Sequence, residues 1–320
     1  MEPWLISLIC IAAGGVFSGI FVIFFVAWRV FTNTMYRSPK KPRTRECSDE
    51  SVPDHKRMFA EGIAWSERYK GITEDLHIIN GRYNLYGQYV NFGYGKCAVV
   101  LQGRTESLLY SYYFAGEYAK AGHNILVIDS RAHGLSDGKF VTSGVLEYKD
   151  LIMWLELVKE KYGIEAFTVH GICMGGAGAL YAYSALKKEN KNWIKKVVFE
   201  GMYYSYYEIF RLHHIERKKP VFPFVYLVFF IAYLCTGARL FKKTPYKYIK
   251  NLDIPVLFIW SEEDFYCKKE RNEALFAACP SEYKHKAYFP KGKHSHVRIN
   301  QTAAYDQAIA EFLKKYNEHL

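Results

Sequence analysis

One stretch of twelve residues, Phe167 to Gly178, constrains this chain more than any other: F-T-V-H-G-I-C-M-G-G-A-G. A short apolar run of β type ends in Gly171-Ile172-Cys173-Met174-Gly175, and small residues at helical spacing, Ala177 to Ala185, follow at once. The pattern predicts a strand, a sharp turn and a helix, with Cys173 at the apex. Glycines on both sides are needed there because a Cβ would collide with the strand or the helix. The amide after the apex, on Met174, falls in the first turn of the helix, where unpaired N–H groups and the helix dipole favour negative charge. A small buried thiol at a tight turn is the plainer reading of Cys173, since free cysteine is commonly buried.

Length and composition bound the rest. At 320 residues with 50% hydrophobic content, the chain holds one large α/β domain plus a short appendage. The net charge of +11 is spread along the chain as Lys and Arg. With no aromatic-interleaved basic motif, it points to a membrane surface rather than to nucleic acid. Seven cysteines at irregular spacing, without a C-x-x-C pair, fit neither a disulfide framework nor a zinc cluster and suit a reducing compartment.

The appendage is legible at the N-terminus. Leu5 to Trp28 carries no charge and is long enough to cross a hydrocarbon core, which takes about 20 apolar residues. No Lys or Arg precedes it, whereas Arg29, Arg37, Lys40, Lys41, Arg43 and Arg45 follow. The positive-inside rule then puts the remainder in the cytoplasm, as a single-pass membrane protein. A cleaved signal peptide is the competitor, but the basic n-region and small-x-small site are missing. Residues 1–31 are read as the anchor, 32–54 as a basic linker and 55–320 as the folded domain. Gly15 and Gly19 form a G-x-x-x-G pair, too common in apolar helices to assign an oligomer.

Within the domain, Leu76 to Asn91 alternates around Asn80-Gly81, a hairpin signal. Cys97 to Leu101 reads as a buried parallel strand, Glu106 to Ala121 as a helix, Asn124 to Ile128 as a strand and Val145 to Lys161 as a helix. Strands at Lys196 to Gly201, Val256 to Trp260 and Lys286 to Phe289 and a last helix, Ala303 to Tyr316, complete the series. Residues 202–254 exceed a plain strand-helix-strand connection and are expected to form a helical cap. Its segment Val221 to Cys235 is apolar nearly throughout, so it is either a buried cap helix or a lipid-contacting lid. A second span would split the domain across the bilayer.

The apex G-I-C-M-G resembles the G-x-S-x-G turn of the α/β-hydrolase superfamily, with cysteine in the serine position. G-I-C-M-G-G is similar to the cysteine-bearing turn of dienelactone hydrolases. The remainder, from about Leu76 onward, resembles the serine-aminopeptidase-like and monoglyceride-lipase-like branch. Asp129 to Gly138, D-S-R-A-H-G-L-S-D-G, looks like that branch's D-x-R-G-H-G-x-S-x-G loop, with Ala132 replacing a glycine. The resemblance implies a mostly parallel sheet flanked by helices, and a structural role for Arg131 and His133. It also implies that the Arg104 amide, in the turn Gln102-Gly103-Arg104-Thr105, shares an oxyanion hole with the Met174 amide. Gln102 stands where the branch carries histidine.

A thiol nucleophile needs a base, and the base needs a carboxylate to orient it. In this fold the order is nucleophile, acid, histidine. Asp264, in S-E-E-D after a strand, matches the acid of the branch's G-x-x-D turn, with Ser261 for glycine; Glu262, Glu263 and the distant Glu200 are alternatives. His294, in P-K-G-K-H-S-H, matches the base, and His296 is its reserve. The expectation is a membrane-anchored ester or thioester hydrolase with catalytic Cys173, Asp264 and His294. It needs no metal or organic cofactor and takes an acyl ester or lipid-like substrate. A catalytically silent binding protein and a cysteine-dependent acyltransferase are the rival readings. Oligomeric state, natural substrate and pathway are not legible.

Overall fold

The computed structural model describes residues 2–37, 46–47, 49–189 and 191–317. Most of the basic segment after the first helix, including Lys40, Lys41, Arg43 and Arg45, lies outside the described residues.

Eight strands form one sheet: β1 Thr73–Asn80, β2 Tyr83–Val90, β3 Lys96–Leu101, β4 Asn124–Ile128, β5 Ala166–Ile172, β6 Ile194–Glu200, β7 Val256–Ser261 and β8 Lys284–Phe289. Their order is β1-β2-β4-β3-β5-β6-β7-β8. β1 and β2 form the expected hairpin, turning at Gly81 with φ +59°, and β2 runs antiparallel to β4; all later pairs are parallel. The alternating hairpin can leave one face wet, whereas β4, N-I-L-V-I, is buried at every position because helices cover both faces.

The chain leaves β3 for β4 on one side and later returns to β5 on the other. Such a reversal opens a crevice beyond the carboxyl ends of the two strands, where ligands bind in open α/β sheets. Leu101 at the end of β3 pairs with Gly171 of β5, so the turns that follow both strands face each other across that crevice.

One helical expectation is corrected. The helix expected over Glu106 to Ala121 is two short ones, Leu108–Tyr113 and Gly116–Lys120. The break at Phe114 and Ala115 turns the Phe114 ring inward against His170 and Tyr305, with centroids 5.4 and 6.1 Å apart, and Gly116, a poor helix former, restarts the helix. The N-terminal helix, Pro3–Met35, runs past the expected anchor end at residue 31. Its exit is tied down: the Val141 amide donates to Met35 O (2.8 Å), and Arg37 donates to Gly134 O (2.6 Å) and Ser136 O (3.1 Å).

That helix is the one among the described residues long and apolar enough to cross a membrane. Most of it is bare, but Ala27, Phe31 and Met35, four residues apart and so on one face, are buried in the domain. They join the cluster that holds the cap, and the helix packs against cap helix Phe224–Thr236. The cap also contains Tyr206–Glu216. Neither cap reading describes Phe224–Thr236 alone: Val225, Val228, Phe229 and Ala232 are buried, while Tyr226, Phe230, Tyr233 and Leu234 are exposed. At 13 residues it is about 20 Å long, too short to span a bilayer.

Candidate active site

Cys173 stands between β5 and helix Met174–Lys188 with φ 52° and ψ −107°, a backbone conformation that L-residues rarely adopt. The flanking glycines permit it. A Cβ on Gly171 would lie 2.3 Å from Gly176 N, and one on Gly175 2.6 Å from Leu101 O. The turn therefore presses against both its own helix and the end of β3. Cys173 borders a cleft of about 150 Å³, and Met174 and Arg104 border it too.

The turn after β3 is pinned on either side of Arg104. The Gly103 amide donates to Glu106 Oε2 (2.9 Å), and the Thr105 amide donates to His133 Nε2 (3.3 Å). Of the three successive amides, that of Arg104 alone has no acceptor among the described residues. Thr105, at φ 79°, carries the strain of the turn. His133 thus supports this loop from outside the site, and Arg131 is held by a bidentate pair with Asp150 (2.7 and 2.6 Å). Gln102 is fully buried with its amide unpaired among the described residues, and nothing in the structure explains it.

Asp264 and His294 come from the loops after β7 and β8, which pair through Ser261 and Phe289. His294 Nδ1 lies 2.8 Å from Asp264 Oδ2, while Asp264 Oδ1 accepts from the amides of Tyr266 (2.9 Å) and Cys267 (2.8 Å). Both donors fix the carboxylate so that its other oxygen faces the ring. Ser261, where the resemblance has glycine, donates from its hydroxyl to Gly292 O, and Glu263 accepts from the Gly292 amide (2.9 Å); together they tie the histidine loop to β7. Burial opposes a charged imidazole at His294, but the Asp264 carboxylate, with smaller help from Cys173 and Cys267, outweighs it and holds the ring well above its ordinary pKa.

The alternative residues lie elsewhere. Glu262 is exposed near Lys269 (3.8 Å). Glu200 is buried and accepts from the Tyr305 hydroxyl at 2.5 Å. His296 packs edge-on against His55 with centroids 4.6 Å apart, and burial pushes its pKa down to about 4.

Three features escaped the sequence reading. Cys267, whose thiol donates to Gly201 O at 2.9 Å, sits beside the acid–base pair, and burial pushes that thiol's pKa up. The ligand atoms of Asp264, Cys267 and His294 lie within 4.8 Å of one another, a set chemically suited to zinc. The Asp264 oxygens, His294 Nδ1 and the Cys267 thiol are already committed to the hydrogen bonds just described. Glu106, buried, has its pKa raised by that burial to about 7. Its partner is a backbone amide, and no spacing in the sequence signals that. Finally, Val30, Asn33 and Thr34 of the N-terminal helix line the cleft, and the Arg104 guanidinium donates to Thr34 O (2.8 Å). A hydropathy plot marks those residues only as the end of a span.

Strained apex, sheet order and paired loops define an α/β-hydrolase fold. A sequence profile for the alpha/beta hydrolase fold matches residues 99–209, from β3 through the Cys173 turn into the cap. The chain is 27% identical over 224 residues to the uncharacterized Bacillus subtilis protein YqkD, covering 69% of this chain and 72% of that protein. Among solved structures it superposes on an esterase from Pyrococcus furiosus with a TM-score of 0.64 at 21% identity, covering 78% of this chain and 93% of the other. An esterase from Exiguobacterium antarcticum gives 0.53 at 15% identity over 72% and 96% of the two chains. A bromoperoxidase from Bacillus anthracis gives 0.55 at 19% identity over 75% and 100%.

Proposed function

We propose that this protein is a membrane-anchored hydrolase that cleaves an ester or thioester through an acyl-cysteine intermediate. Cys173 is the nucleophile, His294 the base, Asp264 the orienting acid, and the Arg104 and Met174 amides form the oxyanion hole. The observation that carries the reading is the pairing of His294 with Asp264 at 2.8 Å, together with a cysteine held at φ 52° whose thiol is among the groups that raise that imidazole's pKa. A raised imidazole pKa favours withdrawal of the thiol proton, which leaves a thiolate beside an imidazolium. The thiolate attacks the carbonyl carbon, and the oxyanion that forms takes hydrogen bonds from the two amides. Collapse breaks the carbon–oxygen bond, and His294 returns its proton to the leaving alcohol. Water, deprotonated by His294, then attacks the thioester, releases the acid and restores the thiol.

The serine-aminopeptidase-like or monoglyceride-lipase-like branch is the one we favour, on the Asp129 to Gly138 loop. An apolar acyl substrate is supported by Ile209 and Phe210 in the cleft wall. A retained anchor, rather than a cleaved signal, is supported by the burial of Ala27, Phe31 and Met35 in the domain, since cleavage would strip that packing. The basic residues after the helix support a cytoplasmic domain.

The test is thiol labelling and turnover of a panel of acyl esters by wild type, Cys173→Ala and Cys173→Ser. Ester release that disappears in Cys173→Ala supports hydrolysis. Ordinary solvent-thiol reactivity with no turnover favours a silent binding protein, and turnover that needs an added amine or alcohol favours acyl transfer.

A further inference from the structure

We propose that the substrate is an acidic membrane lipid: an acyl ester whose anionic head is held by Arg104, Arg217 and Lys219 and which enters from the leaflet beside the N-terminal helix. This inference rests on the acyl-cysteine reading and adds a substrate class to it.

The first argument is position. The uncharged run of the helix ends at Trp28, and Thr34 in the cleft wall follows six residues later, about 9 Å along the axis at 1.5 Å per residue. The headgroup layer on each side of a hydrocarbon core of about 30 Å is about 5–8 Å deep. Val30, two residues past Trp28, lies about 3 Å along the axis and so within that layer, and Thr34 lies just beyond its outer edge; the cleft they wall therefore borders the level of the lipid heads.

The second argument is charge. Arg104, Arg217 and Lys219 line the cleft with Cys173, and among the described residues no carboxylate lines it. Of the acids beside it, Asp264 is paired with His294 (2.8 Å), and Glu216 is engaged by the Tyr266 hydroxyl (2.5 Å) and has His213 at 3.9 Å. Three cations without a carboxylate suit a phosphate-type head, which accepts several charge-assisted hydrogen bonds.

The third is the outer face of the cap. Phe230, Tyr233, Leu234 and Phe241 are exposed, and Arg239 and Lys242 border the same groove as Phe230 and Phe241. Apolar side chains with a basic rim are what an anionic leaflet binds. The helix that packs against this cap supplies the anchor.

The experiment uses the full chain in nanodiscs of neutral lipid, with lysophosphatidylglycerol or monoacylglycerol of the same acyl chain as guest. Fatty acid release is measured for wild type and for Arg217→Ala/Lys219→Ala. The expected kcat/KM is about tenfold or more higher for the anionic ester, expressed in KM, with the ratio falling toward one in the double variant. A ratio near one in the wild type, or one unchanged in the double variant, overturns the proposal. So does a water-soluble anionic oxygen ester, butanoyl glycerol phosphate, that is turned over as well as the lysolipid.

Binding of ether-linked, non-hydrolysable lysophosphatidylglycerol separates this inference from the reaction. Binding tighter than that of the ether monoglyceride, and lost in the double variant, supports the head site even where p-nitrophenyl butyrate is left intact and the acyl-cysteine reading fails. Equal binding of the two ethers overturns the head site alone.

Discussion

Cys173 is held in place by what its neighbours lack. Because a Cβ on Gly171 would meet Gly176 N at 2.3 Å, both backbone, neither side can yield cheaply. Gly171→Ala is therefore expected to cost about 3 kcal/mol or more in a denaturant titration, and to deform the apex in whatever folds. The G-x-C-x-G spacing made that turn legible, and the likeness of S-E-E-D and P-K-G-K-H to the branch's acid and base turns pointed to the pair that Asp264 and His294 form. Cys267 and Glu106 were not, because their partners are backbone atoms brought near by loops. Ala132 is the converse case: the sequence marked it as a replaced glycine, and it sits at φ 62°. Ala132→Gly is expected to stabilise the fold by about 1 kcal/mol, read as a shift in the denaturant midpoint. For His294, Asp264→Asn removes the carboxylate that holds the imidazolium, so the pH at which the ring titrates by NMR should fall. In the wild type the folded pKa exceeds the unfolded value near 6.5. The pair's contribution to stability is thus fully present below about pH 6.5 and fades as pH rises through the raised value.

At the scale of elements, periodicity recovered the hairpin, the parallel strands and the covering helices, since each buries a face that repeats along the chain. It erred where burial is asymmetric or interrupted. Glu106 to Ala121 keeps helical spacing across a break that only the inward Phe114 ring reveals. Phe224–Thr236 is uniformly apolar in sequence, yet one side packs and the other does not. That division has a measurable consequence: Phe229→Ala, in the cap core, should cost about 3–5 kcal/mol, whereas Phe230→Ala, half exposed, should change stability by less than about 0.5 kcal/mol. Neither ring borders the Cys173 cleft, but Phe210 does. Phe210→Ala is accordingly expected to shift ester preference toward longer acyl chains, seen as a displaced optimum across a chain-length series.

For the whole molecule, the N-terminal helix is both an apolar segment long enough to cross a bilayer and a wall of the cleft. Thr34 O accepts from the guanidinium of Arg104, which lines the same cleft as Cys173. This apolar helix and the proposed chemistry are joined, which no reading of the segment by composition revealed. The proposed chemistry depends on the sulfur of Cys173 carrying the acyl group. Intact-mass analysis of the full chain, quenched during turnover of a p-nitrophenyl ester, tests that claim. The account predicts an acyl adduct on Cys173 that hydroxylamine removes and Cys173→Ala abolishes. Turnover that survives Cys173→Ala, or an adduct on another residue, would contradict it.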